Sequence, residues 1–248
     1  MIKYINFGTM YVKKTYITGR VIEVEKYYRR DYPPGEKREK RKKPTPEQIK
    51  KINKRNQIKR LRRLINTNFE EGDIHLVLTY KKEERPTPEE AKTILKKFLR
   101  VLRREYKKRG MELKYVITTE WQRKAIHHHL IVNALKNENS AALINRLWER
   151  GRPKYTFLDD TGQYEKLAEY FIKEIKDPEE GEKKQSYSCS RNLIRPEPKI
   201  EKVKASSWKK KPKVPLGYVL KDITEGVSEL TGWPYQYYTM VRVSNLRI

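Results

Sequence analysis

YVITTEWQRKAIHHHLIVN, residues 115–133, is where the fold is decided, and it holds three of the four histidines in the chain. Strand alternation puts His127, His129 and Ile131 on one face and His128, Leu130 and Val132 on the other. The preceding run, Glu112 to Glu120, also reads as a strand, rich in Tyr, Val, Ile and Thr. A hairpin across residues 121–126 in its simplest register places Glu120 opposite His127 and Thr118 opposite His129. Opposed residues share a face, with Cβ atoms roughly 5 Å apart. Two imidazoles and a carboxylate on one sheet face make a candidate divalent-metal site with positions left open for substrate. The plain alternative is a run of surface histidines on an edge strand.

Composition frames that site. A chain of 248 residues holds one substantial domain with appendages or two small domains. Its 58 Lys+Arg against 32 Asp+Glu give a formal net charge of +26, which points to a polyanion partner, nucleic acid first. No apolar run approaches the roughly 18–20 residues that span a bilayer, and no signal-peptide pattern opens the chain, so no membrane partner is expected. The single cysteine, Cys189, excludes an internal disulfide and fits a cytoplasmic setting. The 17 tyrosines and 4 tryptophans can serve as core, as base-stacking surface, or as both.

Upstream, residues 1–28 form a β-prone segment (Tyr4, Phe7, Met10, Tyr11, then Tyr16 to Val24) with Gly19 at a turn. It is either a hairpin extending the main sheet or a separate flap. Residues 29–44 are a charged linker, and Thr45-Pro46-Glu47-Gln48 is a capping box for a basic helix running to about Asn66, so 29–69 reads as basic linker and helix. That helix is either a solvated edge or a phosphate-tracking arm. Asp73 to Tyr80 is the first central strand. Thr87-Pro88-Glu89-Glu90 caps a clean amphipathic helix ending near Gly110. A helix over 140–149, a strand over 155–158 and a turn over 159–162 follow. This order predicts an α+β domain over residues 70–198, an antiparallel sheet with helices on one face and the active side on the other. Residues 199–248 read as a basic linker followed by β segments at Gly217–Leu220 and Trp233–Val243, which can pair with the N-terminal strands.

Gln163 to Lys176 supplies the second chemical element. Tyr164, Leu167, Ala168, Phe171, Ile172 and Ile175 form an unbroken apolar stripe, so Tyr164 belongs to the core. At about 100° per residue Tyr170 falls well off that stripe, on the side of Lys166 and Lys173. A phenolate can attack a phosphodiester whose phosphate a metal polarises, and a lysine can stabilise the developing charge.

Three motifs in order resemble those of the His-hydrophobic-His (HUH) rolling-circle replication initiators. They are Leu76-Val77-Leu78-Thr79-Tyr80, His127-His128-His129-Leu130-Ile131-Val132, and Tyr170-Phe171-Ile172-Lys173. The trailing Ser188-Cys189-Ser190-Arg191-Asn192-Leu193 is also similar to the segment after the nucleophile in replication proteins of bacterial plasmids and phages. The resemblance covers roughly residues 73–196. It implies a ferredoxin-like or RRM-like sheet and Mg²⁺ or Mn²⁺ held by His127 and His129, with Glu120 as third ligand. It further implies that Tyr170, assisted by Lys173, cleaves single-stranded origin DNA. That leaves a 5′-phosphotyrosine and a free 3′-OH for a host polymerase. A histidine in the hydrophobic slot leaves open a register in which His128 is a ligand. No P-loop occurs, so a helicase would come from the host.

The expected DNA contacts are Lys166 beside Tyr170, Arg191 and Arg195 on a segment folding back toward the site, and Trp208, Lys209 and Lys210. The last three lie in a Trp-Lys run that is either a stacking surface or a basic tether. Rival readings are a single-tyrosine transposase or relaxase, a nuclease using water, and a non-catalytic nucleic-acid-binding protein with structural histidines.

Overall fold

The computed structural model describes residues 10–28, 43–120, 125–173, 187–228 and 231–243. Tyr4 and Phe7, most of the 29–44 linker, the turn at 121–124, the helical tail at 174–176 and the charged loop at 177–184 lie outside the described residues. In chain order the elements are β1 (Tyr11–Thr18), β2 (Val21–Tyr27), α1 (Pro46–Asn68), β3 (Ile74–Leu78), α2 (Pro88–Lys108), β4 (Tyr115–Glu120), β5 (His127–Val132), α3 (Ser140–Leu147), β6 (Lys154–Phe157), α4 (Glu165–Lys173), β7 (Ser188–Cys189), β8 (Lys199–Val203), β9 (Tyr218–Val227) and β10 (Pro234–Arg242). They divide into two compact units, residues 1–55 with 196–248, and residues 56–195. Among the described residues no helix is long and apolar enough to cross a membrane.

The second unit is built on an antiparallel sheet of order β6-β3-β5-β4-β7. Alternation sorts its side chains. Leu76, Leu78, Ile117, Leu130 and Val132 face α2 and α3, where Phe98, Leu99, Leu102, Tyr106, Leu143, Ile144 and Trp148 close a core. α2 starts where the sequence signals it: Thr87 and Glu90 bond reciprocally across a complete capping box. Its end falls at Gly110, whose φ of +69° costs a glycine little.

These two helices take the single face expected of them, leaving His75, His127 and His129 on the other. That other face is not bare. Val116 and Ile131 lie on it and are buried with Leu61, Leu64 and Ile65 of α1 and Ala168, Phe171 and Ile172 of α4. Apolar residues on both faces of central strands require cover on both. An ion pair between Arg62 of α1 and Glu165 in the first turn of α4 joins the two covering helices. α1 itself carries the expected reciprocal cap between Thr45 and Gln48. Its apolar stripe is buried only toward the C-terminal half, while Ile49 stays exposed.

In the first unit, Gly19, at φ +57°, turns β1 into β2, and the hairpin enters a sheet of its own, of order β8-β1-β2-β10-β9. This resolves the two options for the N-terminal segment. It pairs with β10, Tyr238 opposite Val24, so the two ends of the sequence meet in one sheet. β9 runs far beyond the expected Gly217–Leu220. Its Lys221, Asp222 and Glu225 hid it from a hydrophobicity reading, and charged side chains are what an exposed edge strand tolerates.

Leu130 is fully buried at the centre of the larger core. Truncation to alanine should therefore lower the unfolding free energy of this unit by about 2–5 kcal/mol. A urea titration followed by circular dichroism measures it, and a loss below about 1 kcal/mol would mean that the site is not the sealed core described.

Candidate metal centre and nucleophile

The β4–β5 ladder pairs Glu120 with His127 and Thr118 with His129, the register expected from alternation. One Glu120 oxygen, Oε2, consequently lies 3.7 Å from His127 Nδ1 and 3.5 Å from His129 Nε2. Both separations exceed a normal hydrogen bond. One donor atom from each of the three residues lies within 4.8 Å of the others. Two imidazoles and a carboxylate at this spacing fit a small divalent cation. Accessibility is graded across the cluster. His129 is 3% exposed, Glu120 17% and His127 37%, so the His127 side faces solvent.

His128 has a different task. It is fully buried on the opposite face, its Nε2 2.8 Å from Tyr80 Oη and its Nδ1 2.9 Å from Thr119 Oγ1. Burial, reinforced by the neighbouring histidines, pulls its pKa down to about 4. Both ring nitrogens are therefore committed within the core, which removes the register in which His128 joins the ligands. Tyr80, the last residue of the first motif, is the partner that holds it. Burial pushes the Tyr80 phenol up to about 12, so it stays protonated and able to share that bond.

Tyr170 is 37% exposed, whereas Ala168, Phe171 and Ile172 around it on α4 are buried. Its ring meets His129 edge to face at 5.2 Å between centroids and His75 at 5.9 Å. Tyr164 is core, as its spacing requires. It is 5% exposed, its hydroxyl donates to the Asp159 carbonyl, and burial raises its pKa to about 12. Lys166 and Lys173 are exposed on α4.

The segment that carries Arg191 and Arg195 does not fold back to this cluster. β7 pairs antiparallel to β4, Cys189 opposite Val116, so the chain beyond it runs toward Tyr115 and away from Glu120. Arg191 and Arg195 follow on that outgoing segment and are exposed. Trp208, Lys209 and Lys210 belong to the other unit, where the Trp208 ring packs at 5.3 Å from Tyr11 and 5.0 Å from Tyr28.

One residue of the site escaped the sequence reading. His75, on β3 opposite Ile131, shares the face of His129. Its ring stacks on His129 at 5.9 Å and touches Tyr170 and Phe171. Burial, with the nearby His129, lowers its pKa to about 4. Among the described residues its Nε2 has no hydrogen-bond partner. The available signal was alternation: in IHLVL the leucines 76 and 78 take the apolar face and leave His75 and Val77 on the other.

Residues 73–177 match the sequence family of the replication-associated protein ORF2, a span of less than half the chain that contains β3 through α4. The match supports a replication initiator. No curated protein and no solved structure matches the chain.

A folded pKa near 4 for His128 lies below the unfolded value of about 6.5, so between these limits the unfolded chain takes up a proton that the folded one refuses. Stability should thus be complete above about pH 6.5 and fall as the pH drops toward 4, by up to about 1.4 kcal/mol per pH unit from this side chain. Urea titrations in EDTA at stepped pH measure the slope, and His128→Gln should flatten it. An equal slope in that variant would place the acid sensitivity elsewhere.

Proposed function

We propose that the protein initiates rolling-circle replication of a plasmid or phage by nicking single-stranded origin DNA, with Tyr170 as the nucleophile. The observation that carries this reading is the solvent-accessible Tyr170 ring set 5.2 Å from His129 of the Glu120–His127–His129 cluster. The match of this segment to a replication-associated family and the net charge of +26 agree with it. Mg²⁺ or Mn²⁺ held by His127, His129 and Glu120 would supply Lewis-acid polarisation of the scissile phosphate.

The side chains do the rest. The Tyr170 oxygen attacks phosphorus, the P–O3′ ester bond breaks, and the departing oxygen takes up a proton to become the free 3′-OH. The 5′-phosphate stays on the tyrosine, conserving an ester that a later 3′-OH can attack in turn. Lys173, one turn along α4, supplies positive charge for the phenolate and the developing phosphorane. Burial of Tyr164 leaves one nucleophile on this helix. On this reading a host helicase and polymerase in the cytoplasm would unwind and extend the nicked DNA. A single-tyrosine transposase or relaxase would use the same chemistry on a different DNA.

The test is a denaturing gel of protein mixed with labelled single-stranded origin DNA and Mn²⁺. A protein–DNA adduct should form, vanish with EDTA, and be absent in Tyr170→Phe although that variant still binds DNA. His127→Ala and His129→Ala should each lose the adduct, while His128→Ala should chiefly lose stability. Cleavage retained by Tyr170→Phe would replace this reading with a hydrolytic nuclease.

A further inference from the structure

The backbone of the Trp-Lys run is tied into the first unit. From Lys202 to Lys213 the chain carries six lysines and no acidic residue. All six are exposed. The backbone beneath them is stapled down. Tyr28 Oη donates to the Ser206 carbonyl. Trp208 lodges between Tyr11 and Tyr28. Gln236, 1% exposed on β10, donates from Nε2 to the Lys209 carbonyl at 3.1 Å and to the Lys210 carbonyl at 2.9 Å. Pro212 is buried, and Val214 packs on the Val24–Tyr238–Met240 cluster.

Gln236 is itself held in place. Its Oε1 accepts from Lys26 Nζ at 2.7 Å, and its two N–H hydrogens are shared among those two carbonyls and the Glu225 carboxylate. Two carboxylates of the same unit are engaged with other partners, Glu225 with Gln236 and Glu201 with Lys13 and Lys199. So Trp208, Pro212 and Val214 turn inward while Lys209, Lys211 and Lys213 stand out from an anchored backbone.

Those features select a partner. Trp208 stacks on Tyr28 and meets Tyr11 edge-on, so its ring serves to fix the strap, whereas the lysines are what the strap presents. What it presents is a fixed row of ammonium groups, which answers to phosphate charge, and duplex DNA has the densest row of phosphates. We propose that this strap is a second, sequence-independent hold on DNA, gripping the backbone of duplex through Lys209, Lys211 and Lys213, with Gln236 as the residue that positions them. It deepens the initiator reading, because a nicked origin lies within duplex, yet the binding itself does not require the nicking chemistry.

The test is fluorescence anisotropy of the full-length Tyr170→Phe protein on a short duplex of random sequence across a salt series. Neutralising three phosphate contacts in Lys209→Gln/Lys211→Gln/Lys213→Gln should make the slope of log Kobs against log salt shallower by about 2 to 3. Gln236→Leu keeps every charge and unties the strap, so it should weaken duplex binding by roughly threefold to tenfold through lost preorganisation. Should that variant fail to fold by circular dichroism, Tyr28→Phe, which removes the tie to Ser206 and keeps the ring, asks the same question. An unchanged slope in the triple variant overturns the proposal. So does full affinity in the untied variants, or a triple variant that loses more affinity for a single strand of equal length than for the duplex. Adduct formation by the unaltered chain is read separately on single-stranded origin DNA, so failure of the nicking reading and failure of the strap are told apart.

Discussion

Everything at the candidate site depends on the register of one strand pair. Side chains on a β-strand alternate strictly, so a slip of a single residue between β4 and β5 would carry His127 and His129 into the leucine core and turn His128 outward. The pairing of Glu120 with His127 excludes that slip, and the excluded state is costly from both sides. Leu130 and Val132 would lose their core, and two unpartnered imidazoles would enter it. His128 strengthens the choice, because its two bonds to Tyr80 and Thr119 form only in this register. A histidine where an apolar residue would suffice thus acts as a polar pin for the hairpin.

Three consecutive copies of one residue type consequently have three environments. His127 is open to solvent, His128 is sealed and bonded through both nitrogens, and His129 is sealed yet turned toward a carboxylate. Neither residue type nor neighbouring sequence distinguishes them; the parity of position along the strand does. His75 joins the set from β3 and makes the wall behind Tyr170 aromatic. A phenol standing edge-on to two imidazole rings is restrained without losing its access to solvent.

Positioning Tyr170 takes a second layer. Its helix, α4, has its apolar stripe seated on Val116 and Ile131 beside α1, and Arg62 ties its first turn to that helix. The histidine face of the sheet is thereby half covered and half open, with Tyr170 at the border. The first unit applies the same economy to a different end. Buried aromatic rings and one glutamine amide hold a lysine-rich backbone in place and leave its charges outward.

What the sequence determined by itself was everything governed by local periodicity. Alternation in 115–132 was enough for the hairpin register, the Thr87 and Thr45 caps for two helix starts, and the stripe of 164–172 for a buried Tyr164 and an off-stripe Tyr170. Each of these rests on neighbours within a few residues, where strand and helix geometry is nearly invariant. What only the tertiary structure decided was which distant elements meet. The task of His128 hung on Tyr80, a residue 48 positions away. His75 gained its role from α4, and the covering of the histidine face came from α1. The Trp208 strap was settled by Gln236 and Tyr28, from β10 and from the residue after β2. Contacts of that range leave no periodic trace in the chain, because they are chosen by which buried surfaces fit together.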